Sequence, residues 1–73
     1  MNRIEIDNHK RNTEYLLNHR EYFDYRMEKY GDSREYVIDE IKNCKDWDTI
    51  EFVVSFIRKY GLEEYKKVTS SIY

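Results

Sequence analysis

Residues 48–61 read DTIEFVVSFIRKYG, and this stretch decides the fold. Asp48 and Glu51 have the spacing of a capping box, in which two side chains satisfy free backbone N–H groups at the start of a helix. Gly61, at the other end, tolerates the left-handed backbone conformation with which many helices end. These signals predict a helix over about residues 48–60.

The same stretch also has the composition of a β-strand. Residues 49–57 are rich in β-branched and aromatic side chains, which strands favour. A strand needs a partner, and the chain offers no second convincing strand with which it would pair. At helical spacing the apolar side chains of residues 48–60 cover an arc of about 220°. An arc this wide indicates a central helix that its neighbours cover.

The rest of the chain also has helical patterns. Apolar residues recur at helical spacing over about 9–30, 33–44 and 62–72, and each of these ranges is bounded by a glycine or a candidate cap. Asp32 and Ser33 are the alternative caps of the second range, since both side chains can accept a hydrogen bond from a free backbone N–H. We therefore predict three further helices.

These helices define the expected fold. Residues 3–7 alternate between polar and apolar side chains, which suggests a short extended N-terminal arm. Short loops between consecutive helices place them side by side. The sequence predicts a single all-α domain over residues 1–73, a small three- or four-helix bundle around the central apolar helix at 48–60.

Composition limits the classes of function. The chain has 73 residues and a formal net charge of −2, whereas nucleic-acid binders typically carry a basic excess. A single cysteine, a polar N-terminus and the lack of a long apolar run indicate a cytoplasmic protein without a membrane span. Alanine, proline and glutamine are absent, while isoleucine, lysine, asparagine and tyrosine are frequent. This usage hints at an AT-rich genome, such as that of a phage or another mobile element.

No motif in the chain predicts catalysis, a metal or a cofactor. His9 and His19 are the two histidines, and neither has neighbouring cysteine or histidine ligands of the kind that zinc prefers. Arg3 and His9 have a loose spacing found in some small helical ribonucleases, but solvated polar residues explain them better. Cys44 lies on an apolar helix face, where packing is a better explanation than nucleophilic chemistry. We expect no enzyme activity, no metal site and no cofactor.

Tyrosine and arginine side chains gather along one edge of the predicted helix at 9–30. These two residue types are enriched in interaction hot spots, because they combine a large contact area with hydrogen bonding. The alternative interpretation is an outer rim of the core, with the hydroxyl groups in water. The candidate contact residues are Tyr15, His19, Tyr22 and Arg26 on that edge, and Tyr25 and Tyr36, which project away from the predicted core faces.

The leading hypothesis is a non-catalytic protein that binds another protein, such as a phage or mobile-element inhibitor of a host machine, for example a defence system. A homodimer is a related hypothesis, because a second copy would cover the wide apolar arc. The alternative is a small DNA- or RNA-binding regulator, in which the second and third predicted helices form a helix-turn-helix. Its contact residues would be Glu51, Ser55, Arg58 and Lys59.

Overall fold

The computed structural model describes the backbone of residues 2–72 and the side chains of residues 2–70. All regular structure in this part of the chain is helical. The five helices are α1 (Arg3–Leu17), α2 (Arg20–Tyr30), α3 (Arg34–Asn43), α4 (Trp47–Tyr60) and α5 (Leu62–Ile72). The fold is all-α, as predicted, but the bundle has five helices instead of three or four.

The decisive stretch forms the helix α4, so its helical prediction is confirmed. The Asp46 carboxylate caps the helix, accepting hydrogen bonds from the Thr49 N–H at 3.2 Å and the Thr49 hydroxyl at 2.7 Å. Together these bonds hold the pKa of Asp46 below its usual range, and the bond from the Thr49 hydroxyl contributes most. The cap is therefore Asp46 and not the predicted Asp48. At the other end Gly61 has a φ of 90°, and its N–H donates to the Ile57 carbonyl at 2.8 Å.

The predicted single helix over 9–30 is wrong, because the structure divides it at Asn18 and His19. The backbone N–H and the side-chain amide of Asn18 both donate to the Glu14 carbonyl, at 3.0 and 2.9 Å, and α1 ends there. His19 has a ψ of 88°, and its Nδ1 accepts a hydrogen bond from the Tyr22 N–H at 3.2 Å. This cap starts a new helix in a new direction.

The N-terminal segment is helical, so the predicted extended arm at residues 3–7 is also wrong. Asn2 caps α1 through its side-chain oxygen, which accepts a hydrogen bond from the Glu5 N–H at 2.9 Å. Ile4 and Ile6 remain 71% and 44% exposed. Their alternation with polar residues therefore reflects neither a strand nor a core-facing helix side.

The remaining helices agree with the predictions at 33–44 and 62–72. Ser33, and not Asp32, caps α3, because its hydroxyl oxygen accepts a hydrogen bond of 3.1 Å from the backbone N–H three residues later. Gly31 ends α2 in the left-handed conformation, with φ 70° and ψ 17°. The first and last residues of the predicted domain lie outside the described part of the chain.

The core lies where the five helices meet. α4 packs against α1 and α5, while α3 packs against α1 and α2, and α5 also contacts α2. Each helix contributes at least one buried side chain to a single cluster. Its members are Leu16, Tyr22, Phe23, Val37, Ile41, Ile50, Val54, Ile57 and Leu62.

The helix α4 is covered on one side only. Ile50, Val54 and Ile57 are buried, whereas Phe52 and Tyr60 are 61% and 56% exposed. The prediction of a central helix covered by its neighbours is thus wrong for part of the apolar arc. That part is an exposed aromatic surface.

None of the described helices is suited to cross a membrane. A membrane-spanning helix needs about 20 mostly apolar residues. The longest described helix, α1, has 15 residues, and several of them are charged.

Tyr22→Ala is expected to lower the free energy of unfolding by about 3–5 kcal/mol, because removing a buried ring leaves a cavity in the core. Tyr22 is 4% exposed and Tyr36 is 55% exposed. Tyr36→Ala is therefore the matched control, and it is expected to cost about 0.5 kcal/mol or less. Urea denaturation followed by circular dichroism measures both values. Equal losses at the two positions would contradict the packing described above.

Candidate functional site

The structure separates the six predicted contact residues. Tyr22 and Tyr25 are buried, at 4% and 7% exposure, and Tyr36 is the one that is largely exposed. Tyr15 and His19 line one hollow, while Tyr25, Arg26 and Tyr36 line another. The predicted contact edge is therefore not a single surface. The six residues are Tyr15, His19, Tyr22, Tyr25, Arg26 and Tyr36.

Tyr25 is buried, although the single-helix pattern placed it away from the core. α2 packs against α3 and also against α5, so side chains on two flanks of α2 are covered. The Tyr25 hydroxyl shares a hydrogen bond with the Thr69 hydroxyl of α5 and accepts another from Lys29 Nζ at 3.2 Å. The prediction that Tyr25 projects away from the core was wrong, because it assumed that one face of this helix is covered. In the structure two faces of α2 are covered.

A cleft of about 400 Å³ opens where α2, α3 and α5 approach one another, and we call it the tyrosine cleft. Four of its six lining residues are tyrosines, which supply ring surfaces and hydroxyl groups. Tyr30 and Tyr36 are the most exposed of the four, at 46% and 55%. The lining residues are Tyr25, Arg26, Tyr30, Asp32, Tyr36 and Tyr65.

Arg26 fixes one wall of the tyrosine cleft. Its guanidinium donates to both carboxylate oxygens of Glu40, at 2.8 and 3.0 Å, and to Asp32 at 3.0 Å. A third partner is the Tyr22 hydroxyl, which accepts a hydrogen bond at 3.0 Å. Burial alone would lower the pKa of Arg26, but the hydrogen bonds to Glu40 and Tyr22 raise it above its ordinary value. This bidentate, charge-assisted pairing ties α2 to α3 and to the loop between them.

Aromatic contacts connect the tyrosine cleft with α4. The centroid of the Tyr65 ring lies 6.1 Å from those of Tyr25 and Phe56. Phe56 in turn lies 6.0 Å from Phe52 and 4.9 Å from Tyr60. Such spacings are typical of edge-to-face and offset aromatic pairs. We call Phe52, Phe56 and Tyr60 the α4 aromatic face, and its rings continue those of the cleft.

A second hollow, of about 510 Å³, brings together arginines from three helices, and we call it the arginine hollow. Among the described residues, Arg11, Arg20 and Arg58 form no ion pair with a carboxylate. The guanidinium of Arg58 lies 4.8 Å from the centroid of the Tyr15 ring, a cation–π contact. The three arginines are distant in sequence, so no local pattern marks the hollow. Its lining residues are Arg11, Glu14, Tyr15, Asn18, His19, Arg20, Glu21 and Arg58.

A stacked pair of rings joins α1 to the first residue of α4. The ring centroids of His9 and Trp47 lie 3.9 Å apart, and the ring planes differ by 4°. His9 Nε2 lies 3.5 Å from the hydroxyl oxygen of Thr13. The described residues contain no group of three or more His, Cys, Asp or Glu side chains placed to hold a metal ion. The contacts of His9 are thus those of a packed side chain between two helices.

Arg26→Lys is expected to lower the free energy of unfolding by about 1–3 kcal/mol, because an ammonium group cannot reproduce the bidentate bond to Glu40 together with the bond to Asp32. The matched control is Arg20→Lys, at an exposed residue without an ion pair among the described residues. This control should change stability by about 0.5 kcal/mol or less. Chemical denaturation compares the two, and indistinguishable effects would refute the role given to Arg26.

Tyr65→Phe is expected to weaken the loss of stability at alkaline pH. Burial raises the pKa of Tyr65 above its ordinary value of 10.0. As pH rises above about 10, the unfolded chain therefore loses this proton before the folded chain does, and folding is progressively disfavoured. Phenylalanine keeps the ring and has no proton to lose. Thermal melts at stepwise pH measure the difference, and parallel curves for both proteins would contradict the raised pKa.

Comparison of the chain with protein-family models, curated proteins and solved structures finds no significant match in any of the three. The surfaces of the molecule are therefore the basis for its proposed function.

Proposed function

We propose that this protein is a non-catalytic module that binds another protein through the tyrosine cleft. The observation that carries the proposal is a preformed hollow whose rim exposes Tyr30 and Tyr36 beside the half-buried Arg26. Tyrosine and arginine are among the residue types that are enriched in the hot spots of protein interfaces. The charged residues that line the cleft, Arg26 and Asp32, are held in a structural ion pair, which supports binding over catalysis.

The walls of the tyrosine cleft are fixed before any partner arrives. Arg26 ties α2 to Glu40 of α3, and the hydrogen bond between Tyr25 and Thr69 ties α2 to α5. Binding to such a cleft orders few side chains, and this lowers the entropic cost of association. The arrangement favours recognition by insertion into an existing hollow.

The chemistry of the tyrosine cleft indicates what the partner inserts. Arg26 is the one cation among the described residues that line the cleft, and Asp32 and Glu40 already engage its guanidinium. Four of the six residues that line the cleft are tyrosines, which carry rings and hydroxyl groups. An apolar or aromatic side chain fits the rings, with polar contacts around it from the hydroxyls.

The amino-acid usage points to the first class of partner to test. Its resemblance to that of AT-rich phages and mobile elements favours a host protein in the cytoplasm as the target. Inhibition of a host machine, such as a defence system, is then the effect expected of binding.

Affinity capture from the native host with a Tyr36→Ala variant tests the proposal. A partner that inserts into the tyrosine cleft should bind the variant at least about tenfold more weakly, because an exposed rim tyrosine is lost from the contact. Tyr60→Ala is the matched control, since Tyr60 is 56% exposed and does not line the cleft. Binding constants for the captured protein decide the outcome. Equal affinity for both variants would reject the cleft as the binding site.

A second candidate function, DNA or RNA binding, is favoured by the arginine hollow. Three arginines that form no ion pair with a described carboxylate line this hollow together with Tyr15. A tyrosine ring can stack on a base. Glu14 and Glu21 line the same hollow and oppose phosphate binding. α3 and α4, the predicted helix-turn-helix pair, pack mainly against other helices. The arginine hollow, and not that pair, is then the expected contact.

Titration of labelled single- and double-stranded oligonucleotides at low ionic strength tests this second candidate. Binding should weaken with added salt, because salt makes the release of counterions from the phosphates less favourable. It should also weaken with the double substitution Arg11→Gln and Arg58→Gln, because this removes two cations that contact phosphates. A protein that binds neither oligonucleotide at low salt is not a nucleic-acid binder of this kind.

A further inference from the structure

The exposed side of α4 carries a pattern of residues that is complementary to itself. Asp48, Phe52, Ser55 and Lys59 are all exposed, and their helical spacing places them on the side of α4 that faces away from the core. An acidic residue lies at one end of this row and a basic residue at the other. Phe52 and the small Ser55 lie between them. A second copy of the row in the opposite direction therefore places opposite charges beside each other at both ends.

We propose that a second copy of this chain packs against this side of α4, with the two α4 helices antiparallel about a two-fold axis. This register places Asp48 of each copy beside Lys59 of the other. It also places Phe52 of each copy beside Ser55 of the other, where the small side chain leaves room for the ring. A two-fold contact needs such a self-complementary patch, because each copy contributes the same surface.

The charges of α4 select the antiparallel arrangement. Asp48 and Glu51 are exposed near its start, and Arg58 and Lys59 are exposed near its end. None of these four side chains forms an ion pair with another described residue. A parallel pair would bring like charges together, whereas an antiparallel pair brings opposite charges together at both ends of the contact.

Phe52 of the α4 aromatic face supplies the apolar centre of the contact, and Phe56 and Tyr60 lie on its flank. Phe52 and Tyr60 are 61% and 56% exposed, and Phe56 between them is half-buried. Contiguous exposed apolar surface of this kind commonly marks an interaction site. A second copy covers Phe52 on both sides of the interface. None of the residues of the row Asp48, Phe52, Ser55 and Lys59 lines the tyrosine cleft.

Sedimentation velocity over a concentration series, with charge-reversed variants, tests the proposal. Asp48→Lys alone and Lys59→Asp alone should each weaken dimerisation at least about tenfold, because each leaves like charges facing each other. An equimolar mixture of the two single variants should recover the dimer as a heterodimer, since each chain then carries one sign of charge at both ends of the row. The double variant Asp48→Lys, Lys59→Asp should also recover it.

Three results would overturn the proposal. One is an unmodified protein that stays monomeric up to about 1 mM. The second is a dimer that Phe52→Glu and both charge reversals leave unchanged. The third is a mixture of the single variants that recovers no more dimer than either variant alone. Circular dichroism melts verify that each variant is folded. Tyr36→Ala, a substitution in the tyrosine cleft, is the control, and it should leave dimerisation unchanged.

Discussion

The break in the helical chain at Asn18 and His19 is the constraint on which the other features depend. Asn18 ends α1 with two hydrogen bonds to one carbonyl, and the His19 side chain caps α2. Because the chain turns there, α2 packs against both α3 and α5 instead of extending α1. This position buries Tyr25 on one flank and brings Arg26 to Glu40 on another, and the tyrosine cleft follows from it.

The tyrosine cleft and the exposed side of α4 are proposed to bind their partners by different physical means. The tyrosine cleft depends on preorganisation, since Arg26 and its carboxylate partners fix the walls before binding. The exposed side of α4 depends on complementarity, since it carries opposite charges at its two ends and an exposed ring between them. An aromatic contact between Tyr65 of the cleft and Phe56 of the α4 aromatic face joins the two regions. Two candidate contact surfaces thus lie on one small core.

The sequence predicts features that depend on interactions between residues close in the chain better than features that depend on contacts between distant residues. α4 could be predicted because its apolar pattern and its terminal glycine are local signals. The break at Asn18 could not, since it has neither proline nor glycine and the capping role of His19 is uncommon. Arg26 and Tyr36, which line the cleft, could be named as candidate contact residues from residue type and helical position. The cleft around them could not, because Tyr65 reaches it only through the packing of α5 on α2.

Nuclear magnetic resonance of the isotope-labelled protein tests the break most directly. The account predicts helical Cα shifts over residues 3–17 and 20–30, with non-helical shifts at Asn18 and His19. It also predicts nuclear Overhauser effects between the Tyr25 ring and the Thr69 side chain, whose hydroxyl groups are hydrogen-bonded. Uninterrupted helical shifts through Asn18 and His19, without contacts between Tyr25 and Thr69, would contradict it.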